Sequence, residues 1–329
     1  MARKDQPLIR RLPVISHLNK SVGLQRGMLV AGIVITALFL ITALFAPLIA
    51  PYGYSQRFPV SQEPPSGAHI WGTTAGGYDV FSRTIWGAQT AVYVIVVAVL
   101  LSIFIGVALG LVSGYLGGWL DRILVVVADA IYAFPTLLLA IVMSIAISRG
   151  QSSMWGGIFS AAISITVVFI PQYFRVIRAE TIRLKAEPFV ESAMVVGASS
   201  VRIMARHIYK NATRTLPLIF TLNASEAILT LAALGFLGFG IEPSSAAEWG
   251  YDLNHAQTDA TAGIWWTGVF PGAAIVLTVL GLTLLGESMN DLNDPRLRGR
   301  RRAGKAPRTA PTAPAPLPAD AALTKEVAS

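Results

Sequence analysis

The sequence predicts an all-α polytopic membrane protein with six transmembrane helices and a cytoplasmic helix-Gly-helix loop. Three observations carry that expectation. Of 329 residues, 53% are hydrophobic and only 13% charged, whereas soluble domains carry about a quarter charged side chains. The apolar residues gather into uncharged runs near the roughly 20 residues that cross a bilayer core. The Lys and Arg side chains then fall almost wholly in alternate connecting segments, the pattern left when positive loops stay in the cytoplasm.

Taken in order, residues 1–27 form a polar segment assigned to the cytoplasm. The first span covers 28–50, within an uncharged run from Gly27 to Gln56. Its leader and apolar region are both too long for a cleaved signal peptide, so a retained helix is expected. Residues 51–90 are expected as an extracytoplasmic loop, ahead of a core of five further spans over 91–302. The second span is 91–115, where Gly106, Gly110 and Gly114 place small residues on one face and predict the close approach of another helix.

The third span, 123–147, contains Asp129 and Pro135, and the fourth, about 155–174, carries Pro171 near its end. The fifth is 216–237 with Glu226 in mid-span; the sixth, 268–285, follows Trp265-Trp266, an interfacial anchor pair. Trp249 and Tyr251, on the outer side, are expected as anchors too. Residues 303–329 are rich in Ala and Pro and are expected to form a disordered cytoplasmic tail.

With the N-terminus inside, all Lys and Arg except Arg57, Arg83 and Arg149 fall on the cytoplasmic side. Both termini are therefore expected in the cytoplasm. The net charge of +8 is explained by this topology, with no nucleic-acid partner needed.

Chemistry is conspicuous by its absence from the sequence. There is no cysteine, hence no disulfide, thiolate metal site or thiol nucleophile. No G-x-x-x-x-G-K-[ST] loop, H-E-x-x-H or G-x-S-x-G occurs, and His17, His69, His207 and His255 lack metal-ligand spacing. The chain is expected to be non-catalytic, without metal or cofactor of its own. Any nucleotide hydrolysis belongs to another subunit.

The most charged stretch between spans runs over about 175–214. A short helix from Pro188 would align Phe189, Ala193 and Val196 in one apolar stripe. Gly197 suits the left-handed residue that ends a helix, and Ser199 or Ser200 could cap the next. On the residues alone, this pair either lies on the membrane surface or docks a partner.

At these residues the chain resembles the inner-membrane permease subunits of bacterial ABC importers. Their cytoplasmic loop reads E-A-A, three residues, Gly, nine residues, I-x-L-P; here Glu191-Ser192-Ala193, Gly197 and His207-Ile208-Tyr209-Lys210 hold that spacing. Ser192, His207 and Tyr209-Lys210 depart from the pattern. Further stretches resemble the C-type subunit of the peptide and nickel branch. His69-Ile70-Trp71-Gly72-Thr73-Thr74-Ala75-Gly76-Gly77-Tyr78-Asp79-Val80-Phe81-Ser82-Arg83 is similar to its H-x-x-G-T-D-x-x-G-R-D-x-x-S-R signature, with Thr74 and Tyr78 replacing the Asp and Arg. Gly117-Gly118-Trp119-Leu120-Asp121, Phe236-Leu237-Gly238-Phe239-Gly240, Trp249-Gly250, Phe270-Pro271-Gly272 and Asp294-Pro295-Arg296 extend the likeness over most of the chain.

The resemblance implies a type I ABC importer permease fold in a bacterial inner membrane, with peptide as cargo and nickel or another small solute as the alternative. It implies a second, dissimilar permease subunit, two ATPase subunits that bind ATP and Mg, an extracytoplasmic binding protein, and surrounding lipid. It also implies docking of the loop to the ATPase through Glu187, Phe189, Glu191, Ser192, Ala193, Gly197, Arg206 and His207. An ion-coupled secondary transporter is the alternative from another class.

Intramembrane carboxylates remain to be placed, because one ionised near mid-bilayer costs about 2.5–3.5 kcal/mol on insertion scales. Glu226 either lines a translocation path, with Asn223 nearby, or hydrogen-bonds to Asn223 or a neighbouring subunit within the bundle. Asp129 is expected near the headgroups.

Overall fold

The computed structural model describes residues 24–148 and 154–293; residues 1–23 of the expected polar leader and the whole of the Ala/Pro tail lie outside them. The principal helices are α1 (Leu24–Leu44), α2 (Val80–Leu116), α3 (Gly118–Tyr132), α4 (Thr136–Ser148), α5 (Met154–Lys185), α6 (Pro188–Val195), α7 (Leu216–Phe236), α8 (Trp249–Thr261) and α9 (Trp266–Asn293). Among the described residues the only β pairing is two isolated antiparallel bridges, Arg57 with Tyr78 and Thr73 with Asp79. Five helices are long and apolar enough to cross a bilayer, and the bent pair α3–α4 makes a sixth if it counts as one span.

Among the departures from the sequence expectation, three have a plain physical reason. The helix α2 begins at Val80, well inside the segment 51–90 read as loop, because the Asp79 carboxylate caps it, accepting the Ser82 N–H at 2.7 Å. The third span is not straight. It bends by 97° between Tyr132 and Thr136, where Pro135 removes a helical donor and pushes the preceding residue away from helical geometry. Pro171, expected near a helix end, instead lies inside α5, which continues to Lys185.

The bundle is held together where α2 meets α5. Cβ atoms built on Gly106, Gly110 and Gly114 would lie 2.5 Å from Tyr173 Cβ, 2.8 Å from the Phe174 carbonyl and 2.8 Å from the Arg178 carbonyl. The glycine stripe therefore sets the contact distance between two helices running in the same direction. Ser102 and Thr166 strengthen the seam by donating to the Thr166 and Ala98 carbonyls, each at 3.2 Å. At its other side, α1 crosses α9 at Gly32 and Gly281, where a Cβ would lie 2.7 Å from Leu285 N and from Ile35 Cγ2 respectively.

The two ends of the bundle differ. One end is a cap made of the segment before α2 and the segment containing α8. The other carries an elbow, α6 with its following turns. From Ser200 the chain stays helical through to Phe236, including a widened π-turn at Ile203–Ile208. The elbow thus runs into α7 without an intervening loop, and the expected helix, Gly break and helix fall within 175–214.

Candidate functional site

Local rules build the elbow. Pro188 opens α6 behind Glu187, whose backbone is extended, a position where the missing proline N–H costs no helical bond. The helix ends at Gly197, with φ 82°. There the Gly197 N–H donates to the Met194 carbonyl at 2.9 Å and the Ala198 N–H to the Ala193 carbonyl at 3.0 Å, the paired closure of a Schellman cap. A Cβ at Gly197 would meet nothing within 4 Å. The dihedral, not space, calls for glycine. Ser199 Oγ then accepts the Arg202 N–H at 3.4 Å and starts the next turn.

The elbow divides its apolar residues between two faces. Val190, Ile203 and Ile208 are buried with Tyr115, Ile177 and Leu184, and Ala193 packs alongside. Phe189 points outward, as do Val195 and Val196, which are 83% and 87% exposed. The stripe expected through Phe189, Ala193 and Val196 is therefore not the face that this chain buries. A 3.6-residue pattern marks an apolar face without saying whose surface it meets.

The other predicted residues are distributed as follows. Glu191 is exposed, and its carboxylate has no partner among the described residues. Glu187 is 3.5 Å from Arg183, and the Ser192 hydroxyl donates to the Pro188 carbonyl at 2.9 Å. Arg206 is exposed and His207 half-buried, both within the π-turn, a departure from α-helix that often marks functional sites.

The base of the elbow is tied down. Arg178 of α5 donates to both oxygens of Asp121 on α3, and the Ser113 hydroxyl of α2 donates to the same carboxylate. Lys185 Nζ donates to the Tyr115 carbonyl at 2.7 Å. Two successive positive-φ glycines, Gly117 and Gly118, turn the chain sharply between α2 and α3 so that these groups meet. The elbow itself stands beyond this anchored base.

Within the spans, Asn223 and Glu226 part company. Asn223 is 1% exposed and sits inside the bundle beside Tyr173, so the structure does not put it on an open path. Glu226 is exposed on α7, and its carboxylate has no partner among the described residues, Asn223 included. Asp129 is not a bare headgroup-level acid. It accepts from Arg175, whose guanidinium lies 4.3 Å from the Tyr132 ring centroid.

The cap holds interactions the sequence did not reveal. Arg83, 1% exposed, donates through Nε to both oxygens of Asp252 at 2.8 and 3.1 Å and through Nη1 to the Tyr54 carbonyl. Its guanidinium also faces the Tyr78 ring at 4.7 Å. Asp79 accepts from His69 as well as from Ser82, which explains the spacing of the His69–Arg83 signature. Trp249, expected at the membrane surface, is buried, its indole N–H donating to the Thr84 carbonyl at 2.9 Å. Glu248 caps α8 by accepting the Gly250 and Tyr251 N–H groups, each at 2.8 Å. Burial nonetheless pushes its carboxyl up to about 8. The one available sequence signal was Arg83 itself, stranded among the few positive charges on its side.

Five or six spans, a glycine-broken elbow and a helix pair bent at proline make this a polytopic helical membrane protein. The chain belongs to the family of binding-protein-dependent transport system inner membrane components, which matches residues 106–299. The N-terminal TM domain of oligopeptide transport permease C matches residues 24–65. It is thus an ABC importer permease of the peptide branch, C-type: a multi-pass inner-membrane component of a multisubunit importer, and not itself catalytic.

Among relatives, it is 38% identical over 264 residues to the Glutathione transport system permease protein GsiD of Shigella flexneri serotype 5b (strain 8401), covering 80% of this chain and 84% of that one. The proteins of the same name from Escherichia coli O6:K15:H31 (strain 536 / UPEC) and Escherichia coli O157:H7 are 36% identical with the same coverage.

Proposed function

We propose that this chain forms half of a peptide pathway and that its elbow is the handle by which separate ATPase subunits move it. The observation that carries this reading is the outward apolar face of the elbow, Phe189, Val195 and Val196, on a support latched by Asp121–Arg178. An exposed apolar tip on an anchored base fits a groove in a soluble partner. The distribution of Lys and Arg supports a cytoplasmic elbow end and cytoplasmic termini.

The remaining parts of the machine are those that family membership implies. A dissimilar second permease subunit completes the path, an extracytoplasmic binding protein delivers cargo to the cap, and two ATPase subunits hold ATP and Mg. When ATP draws the ATPases together, the elbow moves with them. Because the helix is unbroken from Ser200 to Phe236, the displacement passes directly into α7 and rocks the bundle. Glu191 orients the docked helix by charge, Ala193 permits close approach, and Gly197 sets the angle between the two arms.

The cargo is a small peptide. The relatives' name specifies glutathione, a tripeptide, and the N-terminal family is described by oligopeptide transport. The test reconstitutes the complex in vesicles and measures ATP hydrolysis with the cargo-free and cargo-loaded binding protein. Stimulation by loaded binding protein supports the proposal. Uptake that collapses with the proton gradient while ATP is present refutes it.

A further inference from the structure

We propose that Glu226, together with Tyr132 and the Asp129–Arg175 pair, forms a cation-accepting subsite on the translocation path that takes the ammonium group of a peptide. The inference rests on the path reading above but concerns residues and ligand chemistry that reading leaves open.

Two faces of the same bundle make the argument. On α1 and α9, Val34, Leu38, Val276 and Leu277 are exposed, and no charged residue occurs over 27–49 or 265–286. That is a surface suited to hydrocarbon. The face formed by α3, α5 and α7 is different. Asp129 and Arg175 show 57% and 49% of their side chains there, Tyr132 is exposed beside them, and Glu226 sits at the midpoint of α7 between exposed Leu222 and Leu229. A carboxylate at the middle of a span faces water or a partner group rather than lipid.

Charge pairing then selects the ligand. Asp129 is already matched by Arg175, and the Tyr132 ring already carries the Arg175 guanidinium on its face. Glu226 is the unmatched member, on α7, which packs against the α5 helix that carries Arg175. The strip therefore carries one surplus negative charge, an environment that attracts an ammonium group by charge. A zwitterionic peptide satisfies it, with its ammonium at Glu226 and its carboxylate toward Arg175.

The absence of cysteine gives a clean test. Leu229→Cys is introduced into this chain, the complete complex is placed in lipid nanodiscs, and labelling of the chain is followed with cationic trimethylammonium-ethyl and anionic sulfonatoethyl methanethiosulfonate. The cationic reagent is expected to react roughly tenfold faster, the scale of one charge-assisted contact, and adding Glu226→Gln is expected to erase that preference while Glu226→Asp retains it. Leu38→Cys on the lipid face is expected to react with neither.

A Leu229→Cys thiol closed to both reagents, or a cation preference unchanged by Glu226→Gln, would overturn the proposal. Binding-protein-stimulated ATP hydrolysis, measured on the same nanodiscs, separates this outcome from failure of the importer reading. A complex that hydrolyses ATP normally but shows no preference refutes the subsite alone.

Discussion

The cap and the elbow stand at opposite ends of one helical bundle and are built on opposite principles. The cap is closed by groups far apart in sequence and almost fully buried: Arg83 with Asp252, Trp249 with the Thr84 carbonyl, Glu248 with the start of α8. The elbow is closed by neighbours, Pro188, Gly197 and Ser199, and leaves its apolar tip in the open. The difference teaches where energy and where motion reside. On the proposed reading, substitutions in the cap cost folding and substitutions in the elbow cost coupling.

The comparison is broken most directly at the buried ion pair. Asp252→Ala leaves Arg83 buried and unpaired and is expected to destabilise the chain by about 3–5 kcal/mol, read as loss of thermal stability in detergent. Unchanged stability would show that the cap is not the rigid end.

Glu248 sharpens the same point through pH. Its folded value is raised to about 8 from 4.5, chiefly by burial, so the folded cap holds a proton that the unfolded chain has released. Stability is therefore fully present below about 4.5, falls as pH rises toward 8, and levels off above it. Melting curves across that range are expected to show the decline, and Glu248→Gln to flatten it.

Gly250→Ala comes next, because its Cβ would lie 2.0 Å from the Ala232 carbonyl. Overpacking of this kind costs typically about 1–3 kcal/mol and is expected to lower the melting temperature without touching the elbow. Gly197→Val sits at the far end of the series. It strains one backbone angle by about 1–2 kcal/mol but clashes with nothing, so the complex is expected to assemble and hydrolyse ATP while peptide uptake falls. Normal uptake in that variant would remove the turn from the coupling route.

What could be read from the sequence divides along the same line. The elbow's Pro188, Gly197 and Ser199 act through their immediate neighbours, and the uncharged runs mark spans because lipid imposes the same demand everywhere. The cap could not be read, since nothing local pairs Arg83 with a residue as distant as Asp252. Two prolines make the limit plain. Pro135 bends its helix in an exposed stretch, whereas Pro171 is buried next to Tyr173 and Phe174, which pack on Gly106 and Gly110, and its helix runs through. Tertiary contacts, invisible in the sequence, decide which proline breaks a span. Trp249 is a similar case, apolar enough for either membrane surface or core and committed to the core by the Thr84 carbonyl.

The central claim is that the elbow is gripped by a separate motor. Val196→Cys, replacing the most exposed large hydrophobic side chain among the described residues, just past the end of α6, in a chain with no other cysteine, carries a short photo-crosslinker in the assembled, transport-competent complex. The account predicts a crosslink to an ATPase subunit that changes in yield between ATP-free and ATP-bound states. Crosslinks confined to lipid, or labelling of that thiol from the binding-protein side of intact vesicles, would contradict it.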